Sequence, residues 1–285
     1  MTPLRAEMIK KLELNRLAPN TCEAYLRSVE GLARHYDCRP DRLSREQIES
    51  YLHYLQVERE LAWGSCNVAA CGLLFFFTKV LDWQSFTLQL PPRKREKTLP
   101  VVLSRNEVRR LLEALKNPKH RALLMTTYSA GLRVSEVVKL QVTDIESERG
   151  TIRVEQGKGF KDRRTILSHH LLGELRAYWK IERPSVWLFP GADRSRPLTR
   201  SAAQRVYYSA KKAAGIKRGR GIHTLRHCFA THMIEDGVDS TVVQSMLGHR
   251  NISTTARYLH ISKEYIAKVK SPLDLVYSDR LVDSE

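Results

Sequence analysis

Apolar side chains recur every three to four positions across residues 1–85, which is the spacing of amphipathic helices. One such segment closes on Leu12, Leu14 and Leu17. A second segment can begin at Pro19, because proline is tolerated in the first turn of a helix. Its apolar positions at helical spacing are Tyr25, Leu26, Val29, Leu32 and Ala33. The pattern predicts two consecutive helices here.

Two further helices are predicted before residue 85. Ser44 is followed three residues later by Gln47, a pairing that indicates a capping box at the start of a helix. Ser65 is a candidate cap for a strongly apolar helix that ends near Leu81. Four such helices would make a compact bundle.

Residues 86–100 interrupt the helical pattern. Pro91 and Pro92 precede three basic residues, and Pro100 follows shortly after. Proline lacks the backbone N–H that a helix interior needs, so this segment is predicted to be a linker between two domains. Its basic side chains could follow a phosphate backbone or could simply be solvated.

The region after residue 100 predicts a second domain. Ser104 and Glu107 form a possible capping box, and a long apolar helical stretch leads from Arg121 into Gly131. Residues 151–154 and 163–167 alternate as strands do, with a glycine-rich turn between them. The pattern is again mostly helical from residue 170. The predicted fold is therefore mainly α with one small antiparallel sheet.

Charge changes the picture, because the formal net charge of +17 is unevenly distributed. Residues 1–90 are balanced, with 11 Lys/Arg and 11 Asp/Glu, whereas residues 194–234 hold ten Lys/Arg and no acid. Such a run could be only a solvated face. A polyanion such as DNA explains it better. A membrane surface would also attract cations, but no long amphipathic basic helix is present, and no membrane partner is predicted.

Cysteine use indicates a reducing compartment. The five cysteines are odd in number and include no CxxC pair, which favours free thiols in the cytosol. The N-terminus lacks the apolar core of a signal peptide, and the longest apolar run, residues 68–77, is too short to span a bilayer. A cytoplasmic protein is predicted.

Residues capable of phosphoryl transfer lie in several short motifs. Arg133 and Arg226 could clamp a phosphate, since guanidinium groups bind phosphate oxygens bidentately. His223 could accept a proton near neutral pH, and Tyr258 could attack phosphorus to form a covalent ester. His249 lies between His223 and Tyr258 in the chain. Together these residues predict chemistry on a nucleic-acid backbone.

Each of these residues also has an ordinary structural interpretation. Glu136 could orient Arg133 from the same helix face or could form a common helical ion pair. Tyr207 and Tyr208 are local competitors of Tyr258. Three histidines, His223, His227 and His232, could be imagined as metal ligands, but no HExxH pattern or cysteine pair supports this. No metal or other cofactor is therefore predicted.

The motifs and their order resemble the tyrosine recombinase (phage integrase or Xer-like) family of site-specific DNA recombinases. The resemblance covers roughly residues 100 to 265. Its motifs are Leu132-Arg133-Val134-Ser135-Glu136, Gly157-Lys158-Gly159, His223-Thr224-Leu225-Arg226-His227, Leu247-Gly248-His249 and Tyr258. It implies an N-terminal helical core-binding domain at 1–85, a linker at 86–100, and a mixed α/β catalytic domain with a C-terminal tail at 101–285.

The resemblance also implies roles for the motif residues. Tyr258 would be the nucleophile, Arg133 and Arg226 the phosphate clamp, and Lys158 the acid that protonates the leaving 5′ oxygen. Lys158 could instead be a solvated hairpin lysine, with Lys161 in its place. The other predicted catalytic residues are His223 and His249, with Glu136 and His227 in support. The predicted DNA contacts are Lys161, Arg163, Arg164, Arg200, Lys211, Lys212 and Arg220.

The implied partners are double-stranded DNA with inverted-repeat sites and further copies of the chain, assembled as a tetramer that exchanges strands through a Holliday junction. The tail after Tyr258 would dock on a neighbouring protomer or on its own domain. Because the chain begins with the predicted core-binding bundle, a simple resolving recombinase is favoured over an integrase that binds arm sites. A type IB topoisomerase and a non-catalytic DNA-binding protein stay as alternatives.

Overall fold

The computed structural model describes residues 2–84, 86–88, 100–155 and 162–248 of the 285-residue chain. The chain divides into two compact units, Met1–Lys97 and Thr98–Glu285. Each unit has its own cluster of buried apolar side chains. Most of the predicted linker and the whole predicted tail lie outside the described residues.

The N-terminal unit contains the four predicted helices. They are α1 (Pro3–Leu14), α2 (Pro19–Tyr36), α3 (Arg45–Val57) and α4 (Trp63–Phe75), and α4 continues into a π-helical turn, Phe76–Val80. The capping box before α3 is confirmed: the Gln47 backbone N–H donates to Ser44 Oγ at 3.3 Å, and the Ser44 N–H donates to Gln47 Oε1 at 2.9 Å.

Two local predictions in this unit are wrong. Ser65 does not cap the fourth helix, which begins two residues earlier and has Ala62 at the N-cap without a side-chain hydrogen bond. Leu14 is exposed, whereas Leu12 is buried in the core. The helix ends at Leu14, and Leu17 lies beyond its end, partly buried against the core.

The helical stretch Trp63–Val80 is longer than the apolar run seen in the sequence. Its 18 residues are long and apolar enough to cross a membrane by length and composition alone. Its buried side chains, among them Leu73, Phe76 and Phe77, pack in the core of the N-terminal unit against the other helices. This packing is that of a core helix in a globular domain.

The described part of the C-terminal unit contains seven α-helices, a short 3-10 helix and a small sheet. The helices are α5 (Arg105–Glu113), α6 (Pro118–Ser129), α7 (Val134–Val137), α8 (His169–Glu182), α9 (Arg200–Ala213), α10 (His223–Glu235) and α11 (Ser240–Leu247). The predicted capping box of α5 is confirmed by bonds of 3.2 and 2.8 Å between Ser104 and Glu107.

The sheet has three antiparallel strands in the order β1–β2–β3. β2 (Thr151–Val154) and β3 (Arg163–Ile166) match the two predicted strands, and Ile152 pairs with Thr165. β1 (Ile145–Glu146) was not predicted, because two residues are too short to show an alternating pattern. The fold class, mainly α with a small antiparallel sheet, is confirmed.

The end of α6 sets the path of the first arginine motif. Gly131 follows the helix with φ at +62°, a conformation that glycine adopts without strain. A Cβ atom at this position would lie 2.4 Å from the Phe229 ring and 3.0 Å from Leu247. The chain therefore passes α10 and α11 closely and brings Arg133 beside both helices.

Candidate active site

Arg133 and Glu136 meet at the first turn of α7. Arg133 is the N-cap residue, with an extended backbone (ψ 153°), so it does not share a helix face with Glu136 as predicted. The Glu136 carboxylate instead folds back as the N3 partner of a capping interaction. It accepts from the Arg133 backbone N–H and from Arg133 Nη1, both at 2.7 Å.

The Glu136 carboxylate lies among three guanidinium groups from separate elements. Arg163 of β3 donates to both carboxylate oxygens at 3.0 and 2.8 Å. Arg226 of α10 places Nη1 at 3.6 Å from Oε2. With Arg133 included, one negative charge lies among three positive charges. We call these four residues the arginine cluster; its net charge of about +2 suits it to bind an anion.

The arginine cluster also holds the C-terminal end of α11. Three successive backbone carbonyls there accept hydrogen bonds from the three arginines: Met246 from Arg163 at 2.7 Å, Leu247 from Arg226 at 2.7 Å, and Gly248 from Arg133 at 3.5 Å. The last carbonyls of a helix lack partners within the helix, and this end of the helix dipole attracts cations.

Gly248 makes this arrangement possible. Its φ is +63°, and a Cβ atom there would lie 2.9 Å from Arg163 Cδ. Gly248 thus ends α11 in the left-handed conformation that glycine adopts without strain. His249 follows directly in the chain and lies outside the described residues.

The three arginines differ in exposure. The side chain of Arg133 is 25% exposed, that of Arg163 10%, and that of Arg226 only 1%. Arg226 Nη1 also donates to the Gly131 carbonyl oxygen at 2.7 Å. The two arginines of the predicted clamp thus differ: the Arg133 side chain is partly open to solvent, whereas that of Arg226 is buried.

The arginines keep Glu136 ionised. Burial by itself raises the pKa of this carboxyl group, but the hydrogen bonds and charge of Arg163, the Arg133 backbone N–H and the charge of Arg226 outweigh burial and lower the pKa to about 2. Glu136 is 7% exposed, so solvent screens these interactions little. The carboxylate therefore stays charged at every physiological pH.

Glu136→Gln is expected to destabilise the C-terminal unit by about 3 kcal/mol at neutral pH, since the pKa falls from 4.5 to about 2 on folding. A lowered folded-state pKa stabilises the fold above the unfolded-state value of 4.5, and this stabilisation is lost as the pH falls from 4.5 to about 2. Unfolding free energies of variant and wild type should thus differ less at about pH 3 than at about pH 6. Glu174→Gln, which breaks the more exposed Arg121–Glu174 pair, is the matched control. If the unfolding free energies of Glu136→Gln and wild type differ by the same amount at both pH values, the lowered pKa of Glu136 would be contradicted.

His223 and His227 lie together at the start of α10. Their rings meet edge to face, with centroids 4.6 Å apart. The packing around His223, followed by the charges of Arg226 and Arg133, lowers the pKa of His223, while Glu136 acts in the opposite direction. His223 is therefore mostly neutral at pH 7 and can accept a proton. It is exposed, whereas His227 is half-buried.

The predicted DNA contacts fall into three groups. Arg200, Lys212 and Arg220 are exposed. Two others are exposed or half-buried and have partners: Arg164 donates to Glu146 at 3.0 Å, and Lys211 donates to the Gly219 carbonyl oxygen at 2.9 Å. The position of Arg163 inside the arginine cluster does not fit a predicted contact with DNA. The residues Lys158, Lys161, His249 and Tyr258 lie outside the described residues.

The two tyrosines that compete with Tyr258 have different surroundings. Tyr207 is fully buried, and burial raises the pKa of its phenol, which disfavours the phenolate form that a nucleophile needs. Tyr208 is 51% exposed. Tyr208 is therefore the useful control when the nucleophile is tested.

The described residues contain no group of three or more His, Cys, Asp or Glu side chains that could hold a metal ion. His232, one of the imagined ligands, is instead part of a buried hydrogen-bond chain. Its Nδ1 lies 2.8 Å from the Tyr128 hydroxyl and its Nε2 lies 3.0 Å from the Leu103 carbonyl oxygen. These contacts give His232 a structural position between α6 and the start of the unit.

Comparison with known proteins agrees with the site. Residues 101–265 match the Phage integrase family, and residues 4–85 match the Phage integrase N-terminal SAM-like domain. The chain is 43% identical to "Putative integrase/recombinase y4qK" of Sinorhizobium fredii, over 97% of this chain and 90% of that protein. It is 37% identical to the tyrosine recombinase XerA of Thermococcus kodakarensis, over 66% of this chain and 68% of XerA.

A similar fold occurs in the crystal structure of a lambda integrase tetramer bound to a Holliday junction. The TM-score is 0.69 at 17% identity, over 90% of this chain and 76% of the integrase chain. At this identity the likeness shows the fold alone. The family match covers more than half of the chain and includes the arginine cluster, His223 and His227. The chain therefore belongs to the phage integrase family and is a tyrosine-type site-specific DNA recombinase.

Proposed function

We propose that Tyr258 attacks a DNA phosphate and forms a 3′-phosphotyrosyl ester. The phenol oxygen forms a bond to phosphorus while the bond from phosphorus to the 5′ oxygen breaks. The phenol proton passes to His223, and Lys158 protonates the leaving 5′ oxygen. A 5′ hydroxyl of the partner strand later reverses the step. The ester conserves the bond energy, so the cycle uses neither ATP nor a metal.

The arginine cluster is the observation that carries this proposal. Its three positive charges surround one carboxylate, and Arg133 has the most exposed side chain of the three arginines. The transition state of phosphoryl transfer concentrates negative charge on the non-bridging oxygens, which fixed guanidinium groups stabilise. The neutral imidazole of His223 supports its role as proton acceptor. In this proposal His249 donates a hydrogen bond to the same phosphate, and His227 supports His223.

On DNA, we propose that four copies assemble on two sites with inverted repeats and exchange strands through a Holliday junction in the cytoplasm. The lambda integrase tetramer, which has a similar fold, is bound to such a junction and supports the proposal. The exposed Arg200, Lys212 and Arg220, together with Arg164, Lys211 and Lys161, would contact the DNA backbone. The biological role proposed is dimer resolution or the integration and resolution of mobile elements.

A nicked suicide substrate tests the proposed chemistry. Cleavage beside the nick releases a short 5′-hydroxyl fragment that diffuses away, so religation fails and the covalent intermediate accumulates. We expect a denaturant-resistant adduct that keeps a label placed on the 5′ end of the cleaved strand, whereas a label on the 3′ end of the released fragment is lost. An adduct with the opposite polarity, or none on DNA that the protein binds specifically, would contradict the proposal.

The role of Lys158 is tested by changing the leaving group. Lys158→Ala should slow cleavage of normal DNA by about 10²–10⁴-fold, as expected for loss of a general acid. A substrate with sulfur in place of the leaving 5′ oxygen should restore the rate, because a thiolate leaves without protonation. Arg133→Ala should gain nothing from this substrate. If both variants respond equally, Lys158 is not the acid, and Lys161 becomes the candidate.

A type IB topoisomerase would use the same chemistry with a different outcome. It would relax a supercoiled plasmid as a monomer, without a paired site. The proposed recombinase should instead convert a plasmid with two sites into recombinant products and should require both sites. If a supercoiled plasmid without any site is relaxed as fast as a plasmid with two sites, the topoisomerase would be favoured.

A further inference from the structure

We propose that Arg163 is a positioning residue: it shares the negative charge of Glu136, so that Glu136 competes less with the DNA phosphate for Arg133 and Arg226, and it holds the end of α11. This inference rests on the proposed function, since it explains how the phosphate-binding arginines stay available. It replaces the expectation that Arg163, as a basic residue beside a hairpin, contacts DNA.

The contacts of Arg163 point into the protein. Its Nη1 and Nη2 donate to the two oxygens of Glu136 at 3.0 and 2.8 Å, in a bidentate arrangement. Its Nε donates to the Met246 carbonyl oxygen at 2.7 Å. Three of the five guanidinium N–H groups are thus directed at protein acceptors, and the side chain is 10% exposed. Little of the group is left for DNA.

Glu136 contacts Arg133 and lies near Arg226 even with Arg163 in place, so the three arginines share one carboxylate. Without Arg163, the buried carboxylate would have Arg133 at 2.7 Å and Arg226 at 3.6 Å as its charged partners. These are the two guanidinium groups that the proposed function assigns to the phosphate. A buried carboxylate without its main partner binds the remaining cations more tightly. Glu136 would then hold both arginines in place of the phosphate.

The same side chain links separate parts of the site. Arg163 begins β3, Glu136 lies in α7, and Met246 is near the end of α11. The close approach of Arg163 to Gly248 leaves no room for a Cβ atom there. Loss of the guanidinium would free the Met246 carbonyl and open space beside Gly248. The turn that leads out of α11 would then lose one of its three arginine contacts.

The test compares DNA binding with cleavage in the full-length Arg163→Ala and Arg163→Lys proteins. For Arg163→Ala we expect single-site affinity within about threefold of wild type, and cleavage at saturating protein slowed about 100-fold, the effect of losing one preorganised donor. Arg163→Lys should recover part of the rate, because lysine replaces the charge but not the bidentate contact. Arg121→Ala, which removes the Arg121–Glu174 ion pair elsewhere in the unit, should cleave normally.

A second substitution separates positioning from general damage. Adding Glu136→Gln to Arg163→Ala removes the competing anion, so the double variant should cleave faster than Arg163→Ala alone. A merely structural role predicts the opposite, a further loss. This comparison uses rates at saturating protein, and thermal unfolding identifies any variant that is not folded. If Arg163→Ala does not fold, Glu136→Gln is added to Arg163→Lys instead, and the cleavage rates of that double variant and of Arg163→Lys are compared.

The outcomes distinguish this inference from the proposed function. If Arg163 contacts a phosphate, its loss should weaken binding, reduce the slope of log affinity against log salt by about 0.9, and leave saturated cleavage unchanged. That result, or a double variant slower than Arg163→Ala, would overturn the inference. Failure of the wild-type protein to form any adduct would instead overturn the proposed function.

Discussion

Tyr258→Phe is expected to abolish formation of the covalent adduct on a nicked substrate while leaving DNA affinity within about twofold of wild type. The substitution keeps the ring and removes only the nucleophilic oxygen. The unperturbed pKa of a tyrosine is near 10, so the reaction depends on nearby cations and a base to remove the proton. Denaturing gels of the trapped product measure the loss directly.

The control for this experiment is Tyr208→Phe. Tyr208 is 51% exposed and lies in the same unit, so its phenol is accessible to DNA without being part of the arginine cluster. Tyr208→Phe should form the adduct at the wild-type rate. Adduct formation by Tyr258→Phe, or its loss in Tyr208→Phe, would show that a different phenol is the nucleophile.

The second large effect is expected for Arg133 and Arg226, the two arginines proposed to bind the phosphate. Arg133→Ala should slow cleavage by about 10³-fold, because it removes a guanidinium that stabilises charge in the transition state. Arg226→Ala should slow it at least as much. It should also destabilise the fold, since Arg226 is 1% exposed and binds the Gly131 and Leu247 carbonyl oxygens at 2.7 Å each.

Lysine at either position separates charge from geometry. Arg133→Lys and Arg226→Lys should recover only part of the cleavage rate, because an ammonium group cannot form two parallel hydrogen bonds. Single-turnover rates at saturating protein provide the comparison. Full activity of Arg226→Lys would contradict a role for its fork geometry and leave only a requirement for positive charge.

The sequence predicts elements well where the determining signal is local. The capping boxes of Ser44 with Gln47 and Ser104 with Glu107 each span three residues, and both are present. Proline 19 and the apolar spacing after it correctly indicate α2. The two-residue strand β1 escapes prediction because its existence depends on pairing with β2, a tertiary contact.

The arginine cluster shows the limit of local reasoning. Arg163 is adjacent in sequence to Arg164, and both follow a glycine-rich turn, so both look like DNA contacts. The Glu136 and Met246 partners of Arg163 lie 27 and 83 positions away. No periodic pattern in the sequence indicates that Arg163 contacts these two residues. For the same reason the sequence could identify Arg133 and Arg226 by their motifs but not their different exposures.

Mass-spectrometric mapping of the trapped adduct is the most direct test of the central claim. The wild-type protein is captured on a nicked substrate, digested with nuclease and protease, and the peptide that retains a 3′-nucleotide is sequenced. We expect the nucleotide mass on Tyr258, linked through its phenol oxygen. A nucleotide on Tyr208, or on any serine or histidine, would contradict it.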